Sequence, residues 1–162
     1  DYPALSFGNY ILGEASNARL AERIREKEGL SYGVGSYLYA NPLDKSGTFG
    51  SYAIQAPENI TKVETAFMDE LNKALNEGYT EEEMQTAKSG FKESQRLRRT
   101  QDRNLAGTLA SYLFLNRTFA WDEDFEKKVL ALSKEQVKEA MRKHIDPSKI
   151  SIVKAGDFKE SK

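Results

Sequence analysis

The sequence predicts an α+β fold, in which helices pack on one face of a small antiparallel sheet. Residues 30–40 alternate with period two and are rich in Tyr, Val and Gly, and residues 48–56 repeat this pattern after a polar loop, which is typical of a hairpin. Elsewhere apolar residues recur every three or four positions, which is typical of amphipathic helices. Two helices before the hairpin and several after it, without an internal repeat, indicate an α+β fold.

The length and composition limit the number of domains and the classes of binding partner. A chain of 162 residues suits a single domain with one core. It carries 24 basic and 25 acidic residues, which gives no general electrostatic reason to expect nucleic acid or an anionic membrane as partner. No apolar run reaches the length of a membrane span. Cysteine is absent, which excludes disulfides and thiolate ligands. Because the chain begins at Asp1 without Met, a processed start could hide a signal peptide.

The first two helices are predicted from apolar spacing and from capping residues. Residues 2–13 predict a buried helix with Pro near its start. A second helix is expected to begin at Ser16 or Asn17 and to end near Glu28, where Gly29 suits a left-handed cap. The exposed face of this helix is predicted to hold Arg19, Glu22, Arg23 and Glu26.

Two helices are predicted directly after the hairpin. Pro57 opens the first, whose apolar residues keep a spacing of three and four until Gly78 ends it. Thr80, with Glu83 three residues later, forms a capping box that starts a long helix to about Arg99.

The last third of the chain predicts three more helices and one strand. Residues 102–115 form a helical run, and another begins at Trp121 and Phe125. Ser133 with Gln136 caps the final helix. Asp146-Pro147 is predicted to end this helix, and residues 150–153 are predicted to form a third strand. All 162 residues are predicted to form one domain, trimmed from a longer chain.

Glycines lie within or beside both predicted strands, at positions 33, 35, 47 and 50. In a strand, glycine marks a bulge or a close approach of another backbone. Two explanations stay open at this point. The glycines could make a flat sheet end that admits an extended peptide, or they could allow tight packing of a helix on the sheet.

Arg25 and Tyr32 are the candidate functional residues, seven positions apart across a Gly-Leu-Ser turn. A guanidinium that always keeps its charge and a phenol that donates a hydrogen bond can together hold a peptide carbonyl. This pair can bind a peptide backbone but cannot cleave it alone. In the alternative, Arg25 pairs with Glu22 or Glu28 on a solvated helix, and Tyr32 is an ordinary strand aromatic.

Two other groups of residues are interpreted as non-functional. His144 is the single histidine of the chain, and one His cannot anchor the usual three-ligand zinc set. At a helix end it is better explained as a surface residue. The basic run of Arg96, Arg98, Arg99 and Arg103 lacks interleaved aromatics, which favours a solvated helix or an inter-domain contact over nucleic-acid binding.

The segment Ser-Asn-Ala-Arg-Leu-Ala-Glu-Arg-Ile-Arg-Glu-Lys-Glu-Gly-Leu-Ser-Tyr-Gly-Val, residues 16–34, resembles the signature of the second half-domain of the pitrilysin/insulinase family. These are zinc peptidases with an inverted His-x-x-Glu-His motif. The stretches 1–12, 78–88 and 132–157 are also similar to the family. The resemblance implies a metallopeptidase half-domain like those of the mitochondrial processing peptidase and insulinase.

The resemblance also implies a division of labour. This segment has no metal ligand or other cofactor; zinc is expected in a homologous partner half, in cis or in trans. Tyr32 would donate a hydrogen bond to a carbonyl oxygen of the bound peptide, and Arg25 would hold a nearby carbonyl. The chain is then the substrate-binding half of a peptidase and is not expected to be active alone. The alternative is an inactive scaffold homologue or a peptide-binding subunit. The style of the sequence suggests a bacterial periplasmic or secreted protein.

Overall fold

A computed structural model describes residues 1–157, and within them the fold is mostly helical with one two-stranded sheet. The α-helices are α1 (Tyr2–Asn9), α2 (Ile60–Asn76), α3 (Glu81–Arg99), α4 (Asp102–Phe114), α5 (Phe119–Ala131) and α6 (Lys134–His144). The π-helical segments are π1 (Tyr10–Glu14) and π2 (Ala21–Lys27), and the strands are β1 (Gly33–Ala40) and β2 (Gly47–Ile54). No helix within residues 1–157 is both long and apolar enough to cross a membrane.

Both predicted capping boxes are confirmed. The Glu83 N–H donates to Thr80 Oγ1 over 3.2 Å, and the Thr80 N–H donates to Glu83 Oε2 over 2.7 Å. At the start of α6, the Gln136 N–H donates to Ser133 Oγ over 3.3 Å, and the Ser133 N–H donates to Gln136 Oε1 over 2.9 Å. Each box satisfies two backbone donors that a helix start leaves without a partner.

The two glycines predicted to end helices do so in the left-handed region. Gly29 has φ +61° after π2, and Gly78 has φ +84° after α2. Side chains with a Cβ rarely adopt this conformation, which explains glycine at both positions.

The predicted hairpin is confirmed, with β1 and β2 antiparallel and Gly33 opposite Ile54. One face of the hairpin carries Val34, Phe49 and Ala53, which pack against the helical core. The fold class, a small antiparallel sheet with helices on one face, is therefore confirmed.

The predicted third strand is wrong. Residues 151–157 have no strand structure and are exposed, and Val153 is 90% exposed. A strand needs a neighbouring backbone to accept and donate its hydrogen bonds, and within residues 1–157 each strand of the hairpin pairs only with the other. Ile150 alone in this stretch packs against the core.

The predicted exposed face of the second helix is half wrong. Glu22 and Glu26 are exposed, whereas Arg19 and Arg23 are partly buried. Arg19 Nε lies 2.5 Å from Glu83 on α3, and Arg19 Nη2 donates to the Gly78 carbonyl over 2.9 Å. The guanidinium of Arg23 contacts three carboxylates at 2.9 to 3.1 Å, those of Glu28, Asp69 and Glu70. The two arginines thus fasten the second helix to α2 and α3.

The core lies between the first helix, the second helix and the later helices. Its largest fully buried side chains include Phe7, Leu12, Leu20, Ile24, Leu71, Met84 and Met141. At the contact between α1 and α6, a Cβ added to Gly8 would lie 2.5 Å from Met141 Sδ, so glycine permits the close approach. The buried Tyr79 hydroxyl donates to the Gly8 carbonyl over 2.7 Å, and burial raises the pKa of this phenol.

Candidate functional site

Arg25 lies on π2 with its side chain about half exposed, at 48%. Its Nη2 lies 2.7 Å from Glu26 Oε1, a contact between neighbours in sequence. The alternative pairings with Glu22 or Glu28 do not form, because Glu22 binds Lys27 at 2.8 Å and Glu28 is held by Arg23. An exposed pair of this kind contributes little stability, so the guanidinium is free to exchange Glu26 for another acceptor.

Tyr32 lies at the start of the hairpin with its side chain 89% exposed. Its backbone N–H donates to the Ile54 carbonyl over 2.9 Å. Ser31 Oγ lies within hydrogen-bond distance of the Gly33 carbonyl, at 2.7 Å, and of the Ile54 carbonyl, at 2.9 Å. The backbone on both sides of Tyr32 is therefore held in place, whereas its phenol has no hydrogen-bond partner among residues 1–157.

The turn between the two residues sets their placement. Gly29 ends π2, and the Leu30 N–H bonds back to the Ile24 carbonyl over 2.9 Å. The structure thus presents Arg25 before the turn and Tyr32 after it, both in solvent. Exposed N–H and O–H donors of this kind can bind the carbonyl oxygens of a peptide.

The local helix geometry was not predicted from the sequence. In π1 the Ala15 N–H donates to the Tyr10 carbonyl over 2.9 Å, and in π2 the Glu28 N–H donates to the Arg23 carbonyl over 3.0 Å. Both bonds span five residues, where α-helical spacing would span four. Such π segments occur frequently at functional sites, and π2 carries Arg25.

Within residues 1–157, no three His, Cys, Asp or Glu residues group in a way that could hold a metal ion. His144 is exposed at the end of α6, and its Nε2 lies 2.9 Å from Asp1 Oδ2. The residues present in the described part of the chain therefore do not fit a zinc centre.

The predicted basic run is spread over separate contacts. Arg96 pairs with Glu93 on its own helix at 2.6 Å, and Arg99 pairs with Glu126 on α5 at 3.5 Å. Arg96 and Arg99 are thus each paired with a carboxylate, one on its own helix and one on the neighbouring helix.

One exposed surface was missed at the sequence level. Tyr37, Tyr39, Tyr52 and Ile54 lie on the hairpin face opposite to that of Val34, Phe49 and Ala53, each about half exposed. The alternation of large residues with glycine along both strands was the signal that could have identified this face.

A sequence model of the Peptidase M16 inactive domain matches residues 1–91, which include Arg25 and Tyr32. The chain belongs to the peptidase M16 family. This confirms the resemblance to the zinc peptidases of the pitrilysin/insulinase type, and it identifies the chain as an inactive domain of the family.

Solved structures support this M16 assignment. The crystal structure of a peptidase M16 inactive domain from Pseudomonas fluorescens superposes with a TM-score of 0.76 and 32% identity, covering 91% of this chain and 35% of that one. A protease from Helicobacter pylori matches with a TM-score of 0.67 over 87% of this chain and 34% of its own. Its identity of 22% supports the shared fold alone.

The curated relatives of the chain are named either as zinc proteases or as a non-peptidase homologue. An uncharacterized zinc protease of Streptomyces coelicolor is 35% identical over 81 residues, which is 50% of this chain and 17% of that protein. The non-peptidase homolog YmxG of Helicobacter pylori is 23% identical over 154 residues, which is 94% of this chain and 35% of that protein. The chain therefore spans about a third or less of the length of these relatives.

Proposed function

We propose that this M16 inactive domain is the substrate-binding, non-zinc half of a zinc peptidase, and that Arg25 and Tyr32 bind the peptide backbone. The observation that carries the proposal is the Tyr32 phenol, 89% exposed on a backbone that is hydrogen-bonded to Ile54. Zinc is proposed to lie in a homologous half, in cis or in trans, because the described residues here offer no ligand set.

The proposed chemistry of this chain is electrostatic. Tyr32 donates a hydrogen bond to a substrate carbonyl oxygen, which gains negative charge as the peptide bond is attacked. The hydrogen bonds around Tyr32 fix its backbone, and contact with the bound peptide would orient the phenol. Arg25 holds a neighbouring carbonyl oxygen and keeps the extended peptide in register.

The test is peptide hydrolysis by the longest native protein that carries this chain, with its zinc content measured. Tyr32→Phe removes only the phenol hydroxyl and is expected to lower kcat by about a hundredfold or more, as loss of an oxyanion donor does. Tyr39→Phe is the matched control, an exposed tyrosine at the other end of β1. Equal turnover of the two variants would overturn the catalytic role of Tyr32.

Arg25 is tested by a separate substitution. Arg25→Lys keeps the positive charge but loses the planar fork of donors, so KM is expected to rise by about tenfold with a smaller change in kcat. Arg98→Lys, on the exposed end of α3, is the control. Unchanged kinetics of Arg25→Lys would exclude a substrate contact.

The name of YmxG favours a second candidate, a non-peptidase homologue, because that relative aligns with 94% of this chain. In that case Arg25 and Tyr32 would have no catalytic role. The two functions predict different zinc contents, different peptide hydrolysis and different effects of Tyr32→Phe. A scaffold protein neither holds zinc nor cleaves peptides, alone or with a copurifying partner, and Tyr32→Phe leaves its partner binding unchanged.

A further inference from the structure

The outer face of the hairpin has a regular composition. The strand register places Gly33 opposite Ile54, Gly35 opposite Tyr52, and Gly50 opposite Tyr37. Each of these large side chains therefore faces a residue without a side chain. We call the surface formed by Tyr37, Tyr52 and Ile54 the aromatic face.

The rings of the aromatic face lie across the opposite backbone. A Cβ added to Gly50 would lie 2.3 Å from Tyr37 Cζ, and a Cβ added to Gly35 would lie 3.1 Å from Tyr52 Cε1. Gly50 and Gly35 thus leave space for the Tyr37 and Tyr52 rings, which lie close to the backbone of the sheet. Tyr37, Tyr52 and Ile54 remain 49%, 55% and 60% exposed.

Gly13 and Gly35 also lie at a close contact between π1 and β1. A Cβ on Gly13 would lie 2.6 Å from the Ser36 backbone nitrogen, and one on Gly35 would also lie 3.1 Å from the Gly13 carbonyl oxygen. Of the four strand glycines, Gly35 thus fits the explanation by close helix packing, and the explanation by a peptide-admitting sheet end stays a prediction. Gly50 serves the aromatic face, and Gly13 serves the contact between π1 and β1.

The aromatic face carries no charge, because β1 and β2 contain no Asp, Glu, Lys or Arg. The face also adjoins the proposed site. The carbonyl of Ile54 accepts the N–H of Tyr32, so the surface begins where the backbone of Tyr32 is fixed. A ligand held at Tyr32 would therefore lie beside Ile54, at one end of the aromatic face.

We propose that the aromatic face is a subsite for apolar side chains of an extended peptide whose backbone is held at Tyr32. This rests on the proposed function and adds a substrate class to it. Apolar side chains gain by leaving water against the rings. An acidic side chain would lose hydration there and meet no cation on either strand. The subsite therefore selects segments rich in Leu, Phe or Tyr over acidic ones.

The proposal is tested on the native protein by fluorescence anisotropy with two labelled, end-blocked hexapeptides. One alternates Ser with Leu, and the other alternates Ser with Asp. We expect the Leu peptide to bind at least tenfold more tightly. Ile54→Thr, which keeps a β-branched strand residue, and Ile54→Lys are each expected to weaken Leu-peptide binding by about tenfold. Leu113→Thr, at an 85% exposed leucine outside the face, is the control.

The outcomes separate this subsite from the catalytic proposal. Equal binding of the two peptides, or equal effects of Ile54→Thr and Leu113→Thr, would overturn the subsite even where Tyr32→Phe abolishes turnover. Conversely, Tyr32→Phe without effect and Ile54→Thr with weakened binding would keep the subsite and reject the catalytic role. If Tyr37 and Tyr52 resist iodination in the absence of peptide, another domain covers the aromatic face. This result would also overturn the subsite.

Discussion

At the scale of single residues, Gly29 determines how Arg25 and Tyr32 are presented. Its φ of +61° is left-handed, and no atom lies within 4 Å of an added Cβ, so the cost of a side chain there is conformational and not steric. Gly29→Ala is expected to lower the free energy of unfolding by about 1 kcal/mol. Gly29→Asn should lose less, since Asn tolerates this region better. Urea titration measures both, and equal losses would contradict the explanation.

At Gly50 the constraint is steric and not conformational, because the Tyr37 ring leaves no space for a side chain. Its added Cβ would lie 2.3 Å from the Tyr37 ring, so Gly50→Ala is expected to destabilise the protein by about 1 to 3 kcal/mol. The double variant with Tyr37→Ala should recover part of this loss, because the clashing ring is gone. Gly107→Ala is the control, in α4 with nothing within 4 Å, and should stabilise slightly. Without recovery in the double variant, the ring is not the cause.

At the scale of elements, the ion pair between Arg19 and Glu83 fastens the second helix to α3. Burial by itself raises the pKa of Glu83, but hydrogen bonds from Arg19 and from Thr80 lower it more, and the net pKa lies below the ordinary 4.5. A lowered folded-state pKa stabilises the fold above the unfolded-state pKa, and this contribution disappears as the pH falls through the folded-state value.

Glu83→Gln is therefore expected to lower the free energy of unfolding by about 1 to 2 kcal/mol at pH 7. The difference from wild type should shrink as the pH falls below 4.5. Glu93→Gln, in an exposed pair with Arg96, is the control and should change stability little at any pH. A constant difference between Glu83→Gln and wild type across this range would refute the linkage. Urea unfolding between pH 3 and 7 measures it.

The elements that could be predicted from the sequence are those with local causes. The capping boxes at Thr80 and Ser133 and the left-handed turn at Gly29 depend on residues within one helical turn, and all were predicted correctly. The third strand over 150–153 was wrong because strand formation depends on a partner that local sequence does not specify. Arg19 was placed in solvent for the same reason, since its acceptor is 64 positions away.

In the candidate site, too, features with local causes could be predicted and features that depend on distant residues could not. The exposure of Tyr32 at a helix-to-strand turn could be expected from the order of residues, because the turn follows directly from Gly29. The alternation of large residues with glycine indicates such a face, but the pairing of Tyr37 with Gly50 depends on a strand register that local sequence does not specify. A shift of one residue would exchange the two faces of the hairpin.

At the scale of the whole molecule, burial is unevenly distributed among the helices. α4 has no buried residue, and its Leu113 is 85% exposed, whereas Leu71 in α2 is fully buried. Leu113→Ala is expected to change the free energy of unfolding by less than about 0.5 kcal/mol, and Leu71→Ala to lower it by about 2 to 5 kcal/mol. Thermal unfolding distinguishes them. A large loss from Leu113→Ala would mean that another part of the native protein covers α4.

The contact between α1 and α6 also has a kinetic consequence. Asp1 Oδ2 accepts from Lys143 Nζ at 2.7 Å across 142 positions of sequence. During translation at about 5 to 20 residues per second, α1 leaves the ribosome roughly 7 to 30 seconds before α6 can join it. For that interval the contacts of α1 with α6, such as Gly8 against Met141, cannot form, and this surface of α1 stays uncovered in the nascent chain.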